Sequence, residues 1–307
     1  MTNTGQHILN TLAYYDIFHY PLLKEEIHRF HGQVIEQSAI NESLNRLTAE
    51  QTIFSIDGFY ALHNDGSMAT KRRIGNRLAA KQMTIAQRSA KLLSWFPYVR
   101  GLAISGSLSK NYCNEKTDID FFIITAPGRL WIARTLMHLY KKFTFLTGRQ
   151  KWFCMNYFVD EACLEIEEKN IFTAMEITTL LPMYGKTALH NFTFSNKWIK
   201  NYLPGDSSDF SHVPELKKGM FCKLTEFVFN NQMGNWLDDQ LMWITQKRWQ
   251  KKEQRKMKND NGYQMGMVVN KHFSKPNPVY FQDKVLEMYR SRLEKLPNNS
   301  DAAVTAL

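Results

Sequence analysis

The sequence is poor in cysteine. The four it has, Cys113, Cys154, Cys163 and Cys222, show neither a CxxC pair nor a Cys/His metal spacing. That excludes a cysteine-built metal site of the familiar kinds and predicts reduced thiols, some of them in the core. No apolar run is long enough for a membrane span. The first residues, MTNTGQHILN, have neither the charged nor the apolar stretch of a secretory signal. The expectation is a cytoplasmic protein with no membrane partner. There is also no internal repeat and no low-complexity tract, which leaves ordinary globular domains. With 307 residues the chain can form two or three of these and at least one sizeable core.

Negative charge is the scarcer sign. There are 39 Lys and Arg against 29 Asp and Glu, a net charge of +10 and a pI near 9.3. A polyanionic partner such as nucleic acid or nucleotide fits that balance, and so does a basic surface with no specific partner.

The chain divides into three parts by pattern. In residues 1–66, HILNTLAYYDIF places Ile8, Leu9, Leu12 and Tyr15 or Asp16 at helical spacing. YPLLKEEIHRF predicts a second helix with Pro21 at its start. SAINESLNRLTAEQ predicts a third, with Ser38 as its cap and Ile40, Leu44 and Leu47 facing inward. TIFSIDGFYAL then reads as two short strands joined by Asp57-Gly58.

Residues 67–205 open with a long basic helix carrying Lys71, Arg72, Arg73, Arg77, Lys81, Arg88 and Lys91, a solvated face or a phosphate contact. Strands then alternate with helices: VRGLAISGS, DIDFFIIT and WFCMNYFVD are strands, and RLWIARTLMHLYKKFTFLTG is a helix ending at Gly148. EEKNIFTAMEITTLLPMYG reads as another helix, broken at Pro182 and Gly185. Residues 206–307 read as helical, with a strongly basic run after Lys247. The fold class is therefore α/β (α+β) with a mixed sheet between two mainly helical flanks.

The stretch GLAISGSLSKNYCNEKTDIDFFIIT carries the chemistry. Residues i and i+2 of a strand share a face, so Asp118 and Asp120 project side by side. Two adjacent carboxylates repel, and burying one unpaired costs several kcal/mol, on the order of what a bound cation must offset. Magnesium, held by one or two carboxylates and by phosphate oxygens, is the natural occupant; the plain alternative is a pair of turn aspartates. Upstream, Gly106 lets the chain turn sharply and an anion approach closely, and Ser107 offers a hydroxyl beside backbone N–H groups.

An apolar strand, Gly-Ser, a ten-residue spacer and Asp-x-Asp on the next strand resembles the signature of the DNA polymerase beta-type nucleotidyltransferase superfamily. The resemblance spans roughly residues 70–205. The N-terminal part resembles a winged helix-turn-helix, with 38–50 as recognition helix and 53–62 as wing. The outward residues Glu36, Gln37, Asn41, Asn45 and Arg46 make a mixed face, open to DNA binding or to protein contact. The whole is similar to uncharacterised prokaryotic proteins with this domain order. The superfamily implies transfer of a nucleoside monophosphate from an NTP to an acceptor hydroxyl, with Mg2+ or Mn2+ on Asp118 and Asp120 and the triphosphate at Gly106 and Ser107.

It also implies a third carboxylate on a later strand. Here the alternating face through Cys154, Asn156, Phe158 and Asp160 offers an amide in mid-strand and a carboxylate at the end. Asp160 is the candidate, with Glu165 and Glu167 as further ones. Lys110 is placed to reach a phosphate or to lie solvated in its loop. Arg129 is the arginine placed for nucleotide or acceptor contact, ahead of Arg134, which reads equally as an ion-pair partner. Lys271 and His272 line the cleft or cap locally, and Trp198 reads as core or an inter-domain contact. The function expected is a Mg-dependent nucleotidyltransferase. The alternative is a non-catalytic, nucleotide-sensing winged-helix DNA-binding regulator or an antitoxin-like protein, with nucleic acid held by the winged helix or the basic helices.

Overall fold

The computed structural model describes residues 3–205, 209–258, 264, 266–276 and 281–297. The first elements follow the order expected of residues 1–66: helices α1 (Asn3–Asp16), α2 (Lys24–Arg29) and α3 (Gln37–Ala49), then strands β1 (Phe54–Ile56) and β2 (Phe59–Ala61). Asp57 and Gly58 both take positive φ, 53° and 84°, the pair of left-handed residues that a two-residue hairpin turn requires. Ile8, Leu9, Leu12, Ile40, Leu44 and Leu47 are all buried, as their spacing predicts. The cap of α3 differs from expectation. Glu36 occupies that position, and Ser38 lies inside the first turn with its hydroxyl donating to the Glu36 carboxylate at 3.3 Å.

Helix α4 (Gly66–Leu93) starts at Asp65, whose carboxylate accepts from the Ser67 N–H at 2.8 Å. It does not present all its charges to solvent. Arg72 is buried, stacked 3.6 Å from the Tyr20 ring centroid and paired with Glu26 at 2.6 Å, and Arg73 pairs with Asp57 at 2.8 Å. These two arginines tie α4 to the N-terminal unit instead of facing a phosphate.

The remainder is built on a mixed six-stranded sheet. Its strands are β3 (Val99–Ser105), β4 (Asp120–Thr125), β5 (Cys154–Asp160), β6 (Leu181–Tyr184), β7 (Met267–Val269) and β8 (Phe273–Pro276), in the order β6-β3-β4-β5-β8-β7. Only β4 and β5 run parallel. β4 sits inside the sheet, with Phe121 and Ile123 in one apolar cluster and Phe122 and Ile124 in another. That two-sided burial explains its unbroken apolar run. Helices α5 (Gly106–Ser109), α6 (Leu130–Thr144), α7 (Ile171–Thr178), α8 (Lys186–Ser195), α9 (Met220–Phe229), α10 (Gln232–Gln254) and α11 (Phe281–Glu294) complete the fold.

Two expectations are corrected here. The segment around Pro182 is not a broken helix: α7 ends at Thr178 and Leu181–Tyr184 is an edge strand, where a proline costs no ladder bond. Residues 206–307 are not purely helical, because β7 and β8 extend the central sheet from its β5 side and α11 packs on α1. No helix among the described residues is long and apolar enough to cross a membrane.

Candidate functional site

The antiparallel register of β3 and β4 sets Ser105 opposite Asp120. The turn after β3 therefore folds directly over the first residue of β4. Gly106 has φ +69°, and a Cβ built on it would lie 2.5 Å from Asp120 Oδ2. Any side chain there would collide with the carboxylate, so glycine is required for both its left-handed backbone and its lack of bulk. A single helical turn follows, closed by the Ser109 hydroxyl donating to the Gly106 carbonyl at 2.8 Å. The Ser105 hydroxyl oxygen is buried with no hydrogen-bond partner among the described residues.

Asp118 lies just outside β4, and Asp120 is its first residue; both are half-buried. Burial pushes the Asp120 carboxyl up to about 6, with the charges of Asp118 and Glu176 adding to the effect; a Cys154 side-chain hydrogen bond and Lys141 act the other way. Cys154, opposite Asp120 on β5, has its thiol pushed up by burial and by that carboxylate. Lys110 is at this end too. Its Nζ donates to Glu176 Oε1 at 2.9 Å and to the Gly106 carbonyl at 3.3 Å. Five residues read from the sequence as one site, Gly106, Ser107, Lys110, Asp118 and Asp120, thus gather at one end of the sheet.

Asp160 and Arg129 do not join them. β5 runs parallel to β4, and Asp160 is opposite Thr125, five residues along from Asp120, or about 16 Å at strand rise. Asp160 is fully buried and occupied: it accepts from the N–H groups of Gly128 and Ala162 at 3.0 Å and is bonded to His272 Nδ1. The expected face through Cys154, Asn156, Phe158 and Asp160 is not continuous either: an extra residue in β5 at Asn156 reverses the alternation, so Asp160 takes the face of Phe121 and Ile123, opposite to that of Asp120. Arg129, which follows β4 at that far end, is buried and spends its guanidinium on the carbonyls of Phe229 and Gly128 and on Asn235. Its work is to hold the α9–α10 junction. Arg134 lies over the Trp131 ring, and burial lowers it to about 10. Lys271 pairs with Asp239 and lies 3.7 Å from Asp238, and Glu165 pairs with Lys169 at 2.5 Å. Trp198 is half-buried and donates to Asn196.

Two residues near Asp120 were missed by sequence reasoning. Lys141 stands in the last turn of α6, and Glu176 in the last turn of α7. Neither belongs to a local motif. α7 feeds β6, whose first residue pairs with Ile104 near the end of β3, and this topology carries Glu176 to the Gly106 turn.

The N-terminal unit closes over the same loop. The Tyr20 hydroxyl donates to the Lys110 carbonyl, the Tyr20 and Tyr112 rings meet edge-on at 5.9 Å, and Cys113 donates its N–H to the Gly75 carbonyl of α4. Among the described residues, no group of three or more His, Cys, Asp or Glu is arranged to hold a metal ion. Asp118 and Asp120, beside the unpartnered Ser105 hydroxyl and a turn without a Cβ, offer two carboxylates, so a metal held here would have to bring most of its own oxygen ligands. Magnesium with phosphate and water behaves in that way.

No family model, curated protein or solved structure matches this chain.

Proposed function

We propose that the protein is a magnesium-dependent nucleotidyltransferase that moves a nucleoside monophosphate from an NTP to an acceptor hydroxyl, with pyrophosphate leaving. The observation that carries this reading is the 2.5 Å approach of the Gly106 Cβ position to Asp120 Oδ2, which joins the Gly-Ser turn to the carboxylate pair. Asp118 and Asp120 would hold the metal, and the residues after Gly106 would receive the triphosphate, with Lys110 one side chain away. When bound, the metal supplies charge neutralisation for a transfer that needs mainly positioning and electrostatic stabilisation. The chain's own contribution is a half-buried turn that sets the Asp120 carboxylate beside the Gly106 backbone, with Lys110 able to exchange Glu176 for phosphate.

The test is a thermal-shift series of the four NTPs with and without magnesium. A rise in melting temperature that needs both partners, and is lost in Asp118→Asn and Asp120→Asn but kept in Asp160→Asn, is the expected result. Equal shifts without magnesium, or in the two aspartate variants, refute the reading.

A second reading has its own support. β5 places Cys154 and not an acid opposite Asp120, and Tyr20 connects the N-terminal unit to the loop that carries Lys110. Both features suit a winged-helix DNA-binding regulator that senses a nucleotide without turning it over. That reading predicts salt-sensitive duplex binding and no pyrophosphate release with any acceptor.

A further inference from the structure

A cavity between α4 and the end of α6 takes no part in the chemistry above. It measures about 360 Å³ and lies on the Phe121 face of the sheet, turned away from Asp120. Small-molecule sites range over about 300–1,000 Å³, so this one suits a ligand of few rings. One wall is a single stripe of α4, where Ile85, Arg88, Ser89 and Leu92 stand at helical spacing. Tyr140 and Phe143 of α6 form the second wall, and Trp152 and Phe153 the third. The Tyr140 and Phe153 rings meet edge-on at 5.2 Å, which fixes the corner between these two walls. After α6 the chain turns back, with the Arg149 N–H donating to the Thr144 carbonyl at 3.0 Å. The turn sets the Arg149 guanidinium 4.9 Å from the centroid of the Trp152 ring.

The charge of the cavity is one-sided. Arg88 and Arg149 are exposed at its rim, and no acidic side chain lines it. No carboxylate among the described residues pairs with either guanidinium, whereas Arg72, Arg73 and Arg100 each have one. The arginines near the start of α4 are thus consumed by packing, and Arg88 near its end is free for a ligand. An aromatic interior below two unpaired cations is complementary to a flat apolar body that carries one anionic group.

We propose that this cavity binds a small aromatic anion. Its ring system lies against Tyr140, Phe143 and Trp152, and Arg88 and Arg149 hold its carboxylate or phosphate at the mouth.

Isothermal titration calorimetry of the full chain with naphthoate, naphthyl phosphate and neutral naphthol, at neutral pH, is the test. At least one anion is expected to bind on the order of fivefold tighter than naphthol, as an added charge-assisted contact provides. The tighter anion identifies the head group. Arg88→Gln and Arg149→Gln are each expected to weaken that anion by about threefold to fivefold and to leave naphthol binding unchanged. Both arginines are exposed, so these variants are expected to keep the fold and carry the test on their own. Ile85→Trp, which fills the cavity from α4, is expected to abolish binding of all the probes. Equal affinity for naphthol and the anions, anion binding that neither arginine variant weakens, or no binding at all overturns the proposal. Binding retained in a folded Ile85→Trp overturns it too, since the probe then sits elsewhere, for instance on the exposed apolar side chains of α9.

Discussion

Gly106 has the least freedom of any residue near the site. A methyl group there meets Asp120 Oδ2 at 2.5 Å and the backbone must hold φ +69°. Gly106→Ala is expected to lower stability by about 1–3 kcal/mol, from left-handed strain and the carboxylate clash. Denaturant unfolding gives that cost, and the magnesium-dependent nucleotide shift should vanish in the same variant. A loss of stability with the shift retained would separate the turn from the site. Glycine, serine and the Asp-x-Asp pair were legible because their spacing is local: a strand end, a spacer and a strand start. Glu176 lies 56 residues beyond Asp120 and Lys141 on a different helix, so only topology brings them in. Asp160 had the right chemistry, but an extra residue at Asn156 turns it to the other face of the sheet and strand length carries it to the other end.

At the scale of elements, α6 and α10 are joined by a buried acid. Asp238 of α10 is inaccessible to solvent, and its Oδ1 accepts from the N–H groups of Trp131 and Ile132 in the first turn of α6 at 2.8 and 2.9 Å. It serves as a cap supplied by another helix. Burial pushes its carboxyl up to about 6, against those two hydrogen bonds and Lys271. The folded chain thus binds this proton more tightly than the unfolded chain does. Its contribution is fully present below about pH 4, is lost as the pH rises to about 6, and is flat beyond that. Asp238→Asn keeps the accepting oxygen and removes the titration. Its stability, followed by urea unfolding from pH 4 to 7, should fall by about 1–2 kcal/mol less than that of the unaltered chain. Parallel curves for the two proteins would show that Asp238 does not titrate there. Helices with long apolar stripes were readable from periodicity. The α7–β6 junction was not, because Leu180 and Leu181 continue an apolar run that suits either state. β7 and β8 are three and four residues long, and they exist as strands through pairing with each other and with β5.

The molecule as a whole is held together by contacts between parts that the sequence pattern had set apart. Arg292 of α11 donates to the Asp16 carboxylate at 2.6 Å, and Tyr289 meets Tyr14 edge-on at 5.5 Å. Asp16 is 7% exposed, so Arg292→Ala leaves a buried carboxylate without that partner; His63 remains at 3.5 Å. The expected cost is about 2 kcal/mol in global stability with no change in metal affinity at the site, measurable by chemical denaturation and by manganese titration of the same sample. A change in metal affinity would mean that α11 reaches the site through α1. A division into three consecutive units does not convey this wrapping, since hydrophobic pattern reports which faces are apolar and not which distant face covers them.

That wrapping also sets the timing of assembly. On the ribosome, the first helix emerges long before the one that covers Tyr14 and Asp16, and β5 waits for β8 through more than a hundred residues. A nascent chain therefore carries an open sheet edge and an uncovered aromatic face through most of its synthesis. Chaperone demand should be greatest at that stage, and late-truncated products should be far more prone to aggregate than the finished protein.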